Sequence, residues 1–341
     1  MKPKWLIEHF DDRNSTQLLI KEVERQGYEL KTITYEPLQS GSIDVFENDD
    51  CVITQTSINL ALQICSEKKN WIPGPWLTAA NYKCSNYYPH IGEYLFNDQY
   101  VILPRSELKR NIEHVYKWLG KEDSIFLRPD CGLKSFTGKV FEKENFDKEW
   151  FWVEEFTEPS SMIVASTPKK IKAEWRFVVV NKVVITGSLY NIDGQHKCDT
   201  NYPKEAIDLA QDMAERYQPD TMFVIDICQG NDNRFYLLEI GSFSCAGLYS
   251  CNMETIVEHA SFAALNEWKD LNPFQKNVIE VHPKCHNCGA ELIEVHHIKV
   301  RRDDDSLPES WKDKHDYLFS GLQCNLCEYR QTGEYMPIED K

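Results

Sequence analysis

Three stretches of this sequence combine residue types that suit a phosphate or a metal ion. Arg128-Pro129-Asp130-Cys131-Gly132-Leu133-Lys134-Ser135-Phe136-Thr137-Gly138 places two cations and two glycines on a turn directly after an apolar run. Glycines let backbone N–H groups approach an anion, Arg supplies a fork and Lys a point charge, so the turn suits phosphate. It is neither a Walker loop nor a dinucleotide fingerprint, and a solvated turn is the plain alternative. Asp226 and Glu239 stand in two otherwise apolar runs, Met222 to Cys228 and Phe235 to Ile240. A two- or four-residue loop between these runs pairs residue 226 with 237 and makes Glu239 the diagonal neighbour of Asp226 on one face; a three- or five-residue loop separates the faces. Adjacent carboxylates repel unless a cation lies between them, and Mg²⁺ on nucleotide phosphates accepts this arrangement. Two solvent-facing acids are the bland reading.

The third stretch is Lys172-Ala173-Glu174-Trp175-Arg176-Phe177-Val178-Val179-Val180, where Glu174 and Arg176 share one face of a strand. Ordinary cross-strand pairing explains both, and a fixed cation aimed at transferred phosphate explains Arg176 more sharply. Ahead of it, Trp152-Val153-Glu154-Glu155-Phe156 offers apolar side chains and expected exposed backbone for a flat base.

Near the C-terminus, Cys285-His286-Asn287-Cys288 and Cys324-Asn325-Leu326-Cys327 form paired Cys-x-x-Cys motifs. Four thiolates at this spacing satisfy tetrahedral Zn²⁺ and suit a zinc ribbon of two knuckles, with an insertion carrying Arg301 and Arg302 between them. His282, His286, His296, His297 and His315 read as surface or supporting histidines, and the remaining cysteines as packing residues.

The elements that must position these residues follow from periodicity and caps. Residues 4 to 10, 28 to 35 and 51 to 56 are short β-prone runs. Asn14 caps a helix carrying Leu18, Leu19 and Val23 and stopped by Gly27. The aromatic segment Trp71 to Asn97 reads as an ordered connecting loop. Ser106 caps a helix through Leu108, Ile112, Val115, Tyr116 and Leu119, and Ser124 to Pro129 is a buried strand ending on Arg128. Hairpins turn at Asn181-Lys182 and at Gly230 to Asn233, with a helix striped by Ala206, Leu209, Met213 and Tyr217 between them. Residues 252 to 268 form a last amphipathic helix. The expected division is 1–105, a small N-terminal α/β domain; 106–268, the main domain; 269–283, a linker; and 284–341, the ribbon.

In this order the motifs resemble the ATP-grasp superfamily, in the branch with an Arg ending a strand and a Lys six residues on. The text that carries the likeness is Phe126 to Asp130 with Lys134 to Gly138, Glu174 to Phe177 with Gly187 to Tyr190, Phe223 to Asp226, and Leu237 to Ser244 with Ala246 to Tyr249. The resemblance spans roughly residues 1 to 268. It implies an α+β fold gripping ATP between antiparallel sheets, with Arg128 and Lys134 on phosphates and Glu154, Glu155 and Phe156 as the adenine hinge. It further implies Arg176 at the reacting phosphoryl group and Asp226 and Glu239 on Mg²⁺. Where the superfamily usually has Asn, two residues past the metal Glu, this chain has Gly241, leaving Ser242 or water to complete the shell. The implied chemistry activates a carboxylate as an acylphosphate for attack by an amine.

Composition bounds the alternatives. The 341 residues are 42% hydrophobic and 27% charged, with net charge −16, so a sizeable core is expected and wholesale nucleic-acid coating is disfavoured. No apolar run is long enough for a membrane helix, and the early Glu8 and His9 argue against a signal core, so a cytoplasmic protein is expected. The expected partners are ATP, a carboxylate and an amine acceptor, with a protein partner on the ribbon. Two other readings remain: a nucleotide-binding or partner-binding module that has lost catalysis at Gly241, and an ATP-dependent modifier of nucleic acid, which the acidic balance disfavours.

Overall fold

The computed structural model describes residues 2–9, 14–34, 43–67, 69–133 and 135–271, together with the strands 292–300, 316–324 and 330–338. Residues Pro3–Asn272 form one compact unit. It begins with β1 (Lys4–Glu8), α1 (Asn14–Arg25), β2 (Glu29–Ile33), β3 (Cys51–Gln55), α2 (Ile58–Ser66) and β4 (Ile72–Gly74). These strands make a parallel sheet of order β2-β1-β3-β4. Trp5, Leu6 and Ile7 are fully buried in succession, as expected for a parallel strand covered on both faces. In α1 the structure buries Thr16, Leu19 and Val23 and leaves Leu18 exposed.

The segment after β4 is not a connecting loop. It contains α3 (Cys84–Ile91), and Tyr82, Tyr87 and Tyr88 pack into the main core. Tyrosine suits such a position because its ring buries while its hydroxyl keeps a polar partner, as Tyr82 does by donating to Asp220 at 2.8 Å. Next come β5 (Tyr100–Pro104), α4 (Arg105–Arg110), α5 (Ile112–Leu119), β6 (Ser124–Pro129), β7 (Lys139–Glu142), α6 (Phe146–Glu155) and β8 (Met162–Ser166). The helix expected from Ser106 is thus two, broken at Asn111, and Pro104 rather than Ser106 precedes it. Strands β5-β8-β6-β7 form an antiparallel sheet. Because β5 belongs to it, a boundary at 105 cuts through this sheet.

The chain then enters β9 (Ile171–Val180), β10 (Val183–Ile192), β11 (Gln195–Asp199), α7 (Lys204–Arg216), β12 (Met222–Gly230) and β13 (Phe235–Ser242). These strands build an antiparallel sheet of order β11-β10-β9-β12-β13. Alternation sorts its faces: Trp175, Phe177, Val179, Phe223, Ile225 and Ile227 share a core cluster with Ala206, Ala210 and Met213 of α7. Glu174, Arg176, Val224 and Asp226 take the other face. Finally α8 (Met253–Leu271) returns to the parallel sheet, where Trp5 Nε1 donates to Ser261 Oγ at 3.2 Å and Trp268 Nε1 to the Asp49 carbonyl at 2.7 Å. It is buried along most of its surface rather than on a single stripe, because it packs against α1, β3 and β4 as well as β9 and β10.

Residues Pro273–Lys341 fall in a separate unit containing β14 (Leu292–Val300), β15 (Asp316–Cys324) and β16 (Arg330–Ile338), an antiparallel sheet in that order. Cys324 ends β15; Cys285, Cys288 and Cys327 lie outside the described residues. Among the described residues no helix is long and apolar enough to cross a membrane, and no group of three or more His, Cys, Asp or Glu could hold a metal.

Candidate active-site cleft

A row of charged residues crosses the open face of the five-stranded sheet. Register places Arg176 of β9 opposite Asp226 of β12, and Asp226 opposite Glu239 of β13. The pairing differs from the expected one. Next to the turn Ile227 faces Leu237, so an uninterrupted ladder would set Asp226 opposite residue 238 and turn Glu239 away. A β-bulge between Asp226 and Ile227 adds one residue on β13 and brings Glu239 directly opposite Asp226. The two carboxylates therefore share a face, as expected, but as a direct pair rather than a diagonal one.

Both carboxylates meet guanidinium groups. Arg176 Nε and Nη2 donate to Asp226 Oδ1 and Oδ2 at 2.8 and 2.7 Å, a bidentate pair, and Nη1 donates to the Gly247 carbonyl at 3.0 Å. Arg128 Nη2, arriving from β6 of the other sheet, donates to Glu239 Oε1 at 2.8 Å. Burial is the largest single influence and works against both guanidinium charges, but the facing carboxylate acts together with Cys84, Tyr87 and Tyr88 around Arg128, and with Tyr249 and Tyr190 around Arg176, and the sum holds both arginines well above their ordinary range. Burial also raises the Glu174 carboxyl; the Tyr190 hydroxyl, donating at 2.7 Å, opposes that shift.

Several neighbours orient these arginines. The Tyr190 and Tyr249 rings stack at 4.8 Å and 10°, with the Arg176 guanidinium 5.6 and 5.2 Å from their centroids. Tyr249 adopts a positive φ of 49°, unfavourable for a bulky side chain. The segment carrying Gly247 and Tyr249 is tied to the parallel sheet: Gln55 Nε2 donates to the Phe243 and Ala246 carbonyls at 3.1 and 2.6 Å. Beyond Arg128, Asp130 fastens the strand end to α3, accepting from Ser85 N at 2.6 Å and Ser85 Oγ at 2.8 Å. A Cβ on Gly138 would come within 3.0 Å of Arg128 Cβ and Phe126 Cζ, so that glycine lets the turn lie against β6.

A cavity of about 530 Å³ opens over this row, lined among others by Arg176, Asp226, Glu239, Gly241 and Tyr249, with Gly132 and Leu133 of the turn. Two directly opposed carboxylates are hard oxygen donors of the kind Mg²⁺ takes alongside phosphate oxygens, so Asp226 and Glu239 fit that ion. Gly241 leaves space there: a Cβ would meet Val224 Cγ2 alone, at 3.3 Å. Ser242 lines the same cavity, and its hydroxyl donates to the Trp76 carbonyl at 2.6 Å.

Of the residues singled out by sequence, Arg128, Arg176, Asp226 and Glu239 come together. Lys134 lies outside the described residues. Glu154, Glu155 and Phe156 do not join them. They form the last turn of α6 and the residue after it, where the backbone N–H groups belong to the helix. Phe146, Trp150 and Val153 recur at helical spacing and bury that helix, while Phe156 is 61% exposed and Glu154 accepts from Trp150 Nε1 at 2.9 Å. The two sheets are instead joined by residues 167–170, where Lys169 Nζ donates to the Phe96 carbonyl at 2.7 Å. Sequence reasoning also missed the partners of Arg176. Tyr190 and Tyr249 end two of the motifs, but nothing in the order of residues signals that their rings stack.

Residues 107–259 match the family model described as ATP-grasp domain, R2K clade family 2. Among solved structures, the D-cycloserine synthetase DcsG is similar at TM-score 0.51 and 11% identity, covering 77% of this chain and 99% of that one. D-alanyl-alanine synthetase A from Vibrio cholerae is similar at TM-score 0.51 and 13% identity, covering 78% and 98%. At these identities the likeness concerns the fold. No curated protein matches the sequence. Residues 107–259 are thus similar to an ATP-grasp domain, and the chain has an α+β fold of mixed helices and sheets.

Proposed function

We propose that the protein is an ATP-dependent, ADP-forming carboxylate–amine ligase. The observation that carries this reading is the convergence of Arg176, Asp226 and Glu239 on one cleft, with Arg128 arriving from the other sheet to bond Glu239. Asp226 and Glu239 would hold Mg²⁺, which when bound neutralises charge on the nucleotide phosphates. Arg128, with Lys134 from the following turn, would bind phosphate oxygens. Arg176, fixed by Asp226, Gly247 and the two tyrosine rings, would face the phosphoryl group in transfer, where a preorganised cation stabilises developing charge.

In the reaction a carboxylate oxygen attacks the γ-phosphorus and ADP leaves, giving an acylphosphate. The amine then attacks the acyl carbon, phosphate departs, and the amine proton is lost to solvent or a base. The acceptor is a peptide, a protein or a small metabolite. ADP release with Mg²⁺ and ATP, screened over amino acids and peptides, tests the reading. Substrate-stimulated ADP should vanish in Lys134→Ala and Glu239→Ala. Nucleotide binding without turnover on any acceptor would favour a sensor instead.

The paired Cys-x-x-Cys spacing supports a zinc site at Cys285, Cys288, Cys324 and Cys327, on a module that docks a protein partner or substrate. Stoichiometric zinc retained in both Cys285→Ser and Cys324→Ser would refute that ligand set.

A further inference from the structure

The amine-transfer half of the proposed reaction leaves one step unassigned, the removal of the amine proton. An amine arrives near neutral pH as an ammonium ion, and only its unprotonated form attacks the acyl carbon, so a positioned base speeds this half. The edge strand β11 brings two unassigned groups to the cavity. Register sets His196 opposite Asn191 of β10, and Asn191 opposite Glu174 of β9, so His196 and Cys198 take the open face that carries Arg176. Both side chains line the cavity and both residues are exposed, so an acceptor entering from solvent can reach them. Cys198 Sγ lies 3.4 Å from His196 Nε2, within hydrogen-bond reach for sulfur. The imidazole also meets the Tyr249 ring, at 5.8 Å between centroids and 52°, and the same ring lies 5.2 Å from the Arg176 guanidinium. One aromatic ring thus neighbours both the imidazole and the cation assigned to the reacting phosphoryl group.

The other titratable groups on the cavity wall are tied or keep their protons. Asp226 accepts two hydrogen bonds from Arg176, and Glu239 accepts one from Arg128. Burial is the first cause that pushes up the hydroxyls of Tyr82 and Tyr249 and the thiol of Cys198. Cys245 also lines the cavity, and a thiol ordinarily stays protonated near neutrality. Imidazole is the side chain suited to exchanging a proton in that range.

We propose that His196 is the general base of the amine-transfer half-reaction and that Cys198 positions its ring. The inference rests on the reading of the cleft as a ligase site. The amine nitrogen bonds to the acyl carbon, the bond from that carbon to the phosphate oxygen breaks, and phosphate leaves with the electron pair. The proton on nitrogen passes to the imidazole, which returns it to solvent. With Nε2–H directed at Cys198 Sγ, the ring takes the proton at Nδ1. The ring is faced by Cys198 on its own strand, by neutral Asn191 on β10, and by Tyr249 with the Arg176 guanidinium beyond it.

The test supplies Mg²⁺ and ATP with a pool of amino acids and peptides, which serve as both carboxylate and amine. It reads amide formation and, with hydroxylamine added, hydroxamate formation. Hydroxylamine is unprotonated near neutrality and traps the acylphosphate without help from a base. Near neutral pH, His196→Gln should lower amide formation roughly a hundredfold while hydroxamate formation stays within about twofold. The amide deficit should shrink as pH rises to about 9, where more of the amine is unprotonated, and added imidazole should restore amide formation in His196→Ala. Both variants should fold, because the side chain is exposed on an edge strand. Equal loss of amide and hydroxamate, no loss of either, or an amide deficit that neither raised pH nor imidazole repairs overturns the assignment and leaves the ligase reading standing. A wild type that forms neither product from any member of the pool overturns the ligase reading and the assignment with it.

Discussion

Arg176 in the five-stranded sheet and Arg128 in the four-stranded sheet both end on a carboxylate of the same hairpin, yet their surroundings differ. Arg176 lies within its own sheet, paired in register with Asp226 through two hydrogen bonds and held further by the Gly247 carbonyl and two aromatic rings. Arg128 crosses from one sheet to the other to reach Glu239, and its orientation comes from what holds the end of β6: the Asp130 bonds to Ser85 and the close approach of Gly138. One sheet is a rigid platform for charge, and the other delivers a cation to it. The difference teaches that a cleft between two sheets needs a fixed electrostatic reference on one side before the other can be aligned to it.

Replacing the two arginines should break the comparison if it is wrong. Arg176→Met leaves the buried Asp226 charge unpaired and should lower unfolding free energy by about 3–5 kcal/mol, read from urea denaturation. Arg128→Met should cost clearly less, because Glu239 keeps more contact with water; equal losses would erase the distinction between platform and arm. Glycines beside each arginine sharpen the point. A Cβ on Gly187 would fall 2.5 Å from the buried Phe177 ring, so Gly187→Ala should cost about 1–3 kcal/mol through overpacking. Gly138→Ala, with contacts of 3.0 Å, should cost less stability and act chiefly by displacing Arg128, seen as weaker nucleotide binding.

Glu174 on the platform yields a pH dependence. Its carboxyl is raised above the ordinary 4.5 mainly by burial, so the folded protein holds that proton where the unfolded chain has lost it. Its contribution to stability is therefore full below 4.5 and is lost as pH rises through the raised folded value. In Glu174→Gln that decline should disappear, which denaturation midpoints of both proteins from about pH 4 to 7 would show. The smallest effect is expected on α6: Phe156→Ala should change stability by less than about 0.5 kcal/mol and leave nucleotide affinity unaltered. A large drop in affinity would restore Phe156 to the site.

The contrast between Trp152–Phe156 and Lys172–Val180 shows where sequence reading succeeds. Both stretches mix aromatics with charges. In the second, polar–apolar alternation from Lys172 to Phe177 followed by a β-branched run leaves one geometry, and Glu174 and Arg176 do share a face. In the first, the helical spacing of Phe146, Trp150 and Val153 decides the conformation, whatever the local suitability for a flat base. The short helix within Trp71 to Asn97 is harder to read for another reason: Cys84, Tyr87, Tyr88 and Ile91 do stand at helical spacing, but the stripe lasts only about two turns and carries Pro89 within it.

The amino-acid sequence by itself determined the strand of Arg128, both hairpins and the charges they carry, because period, turn chemistry and residue type are local properties of the chain. Only the tertiary structure decided that Glu239 faces Asp226 squarely, since one bulged residue reverses every side chain beyond it and the turn's length does not reveal the bulge. It also decided which arginine meets which carboxylate, because that pairing depends on how two sheets, distant in sequence, close over a common cleft.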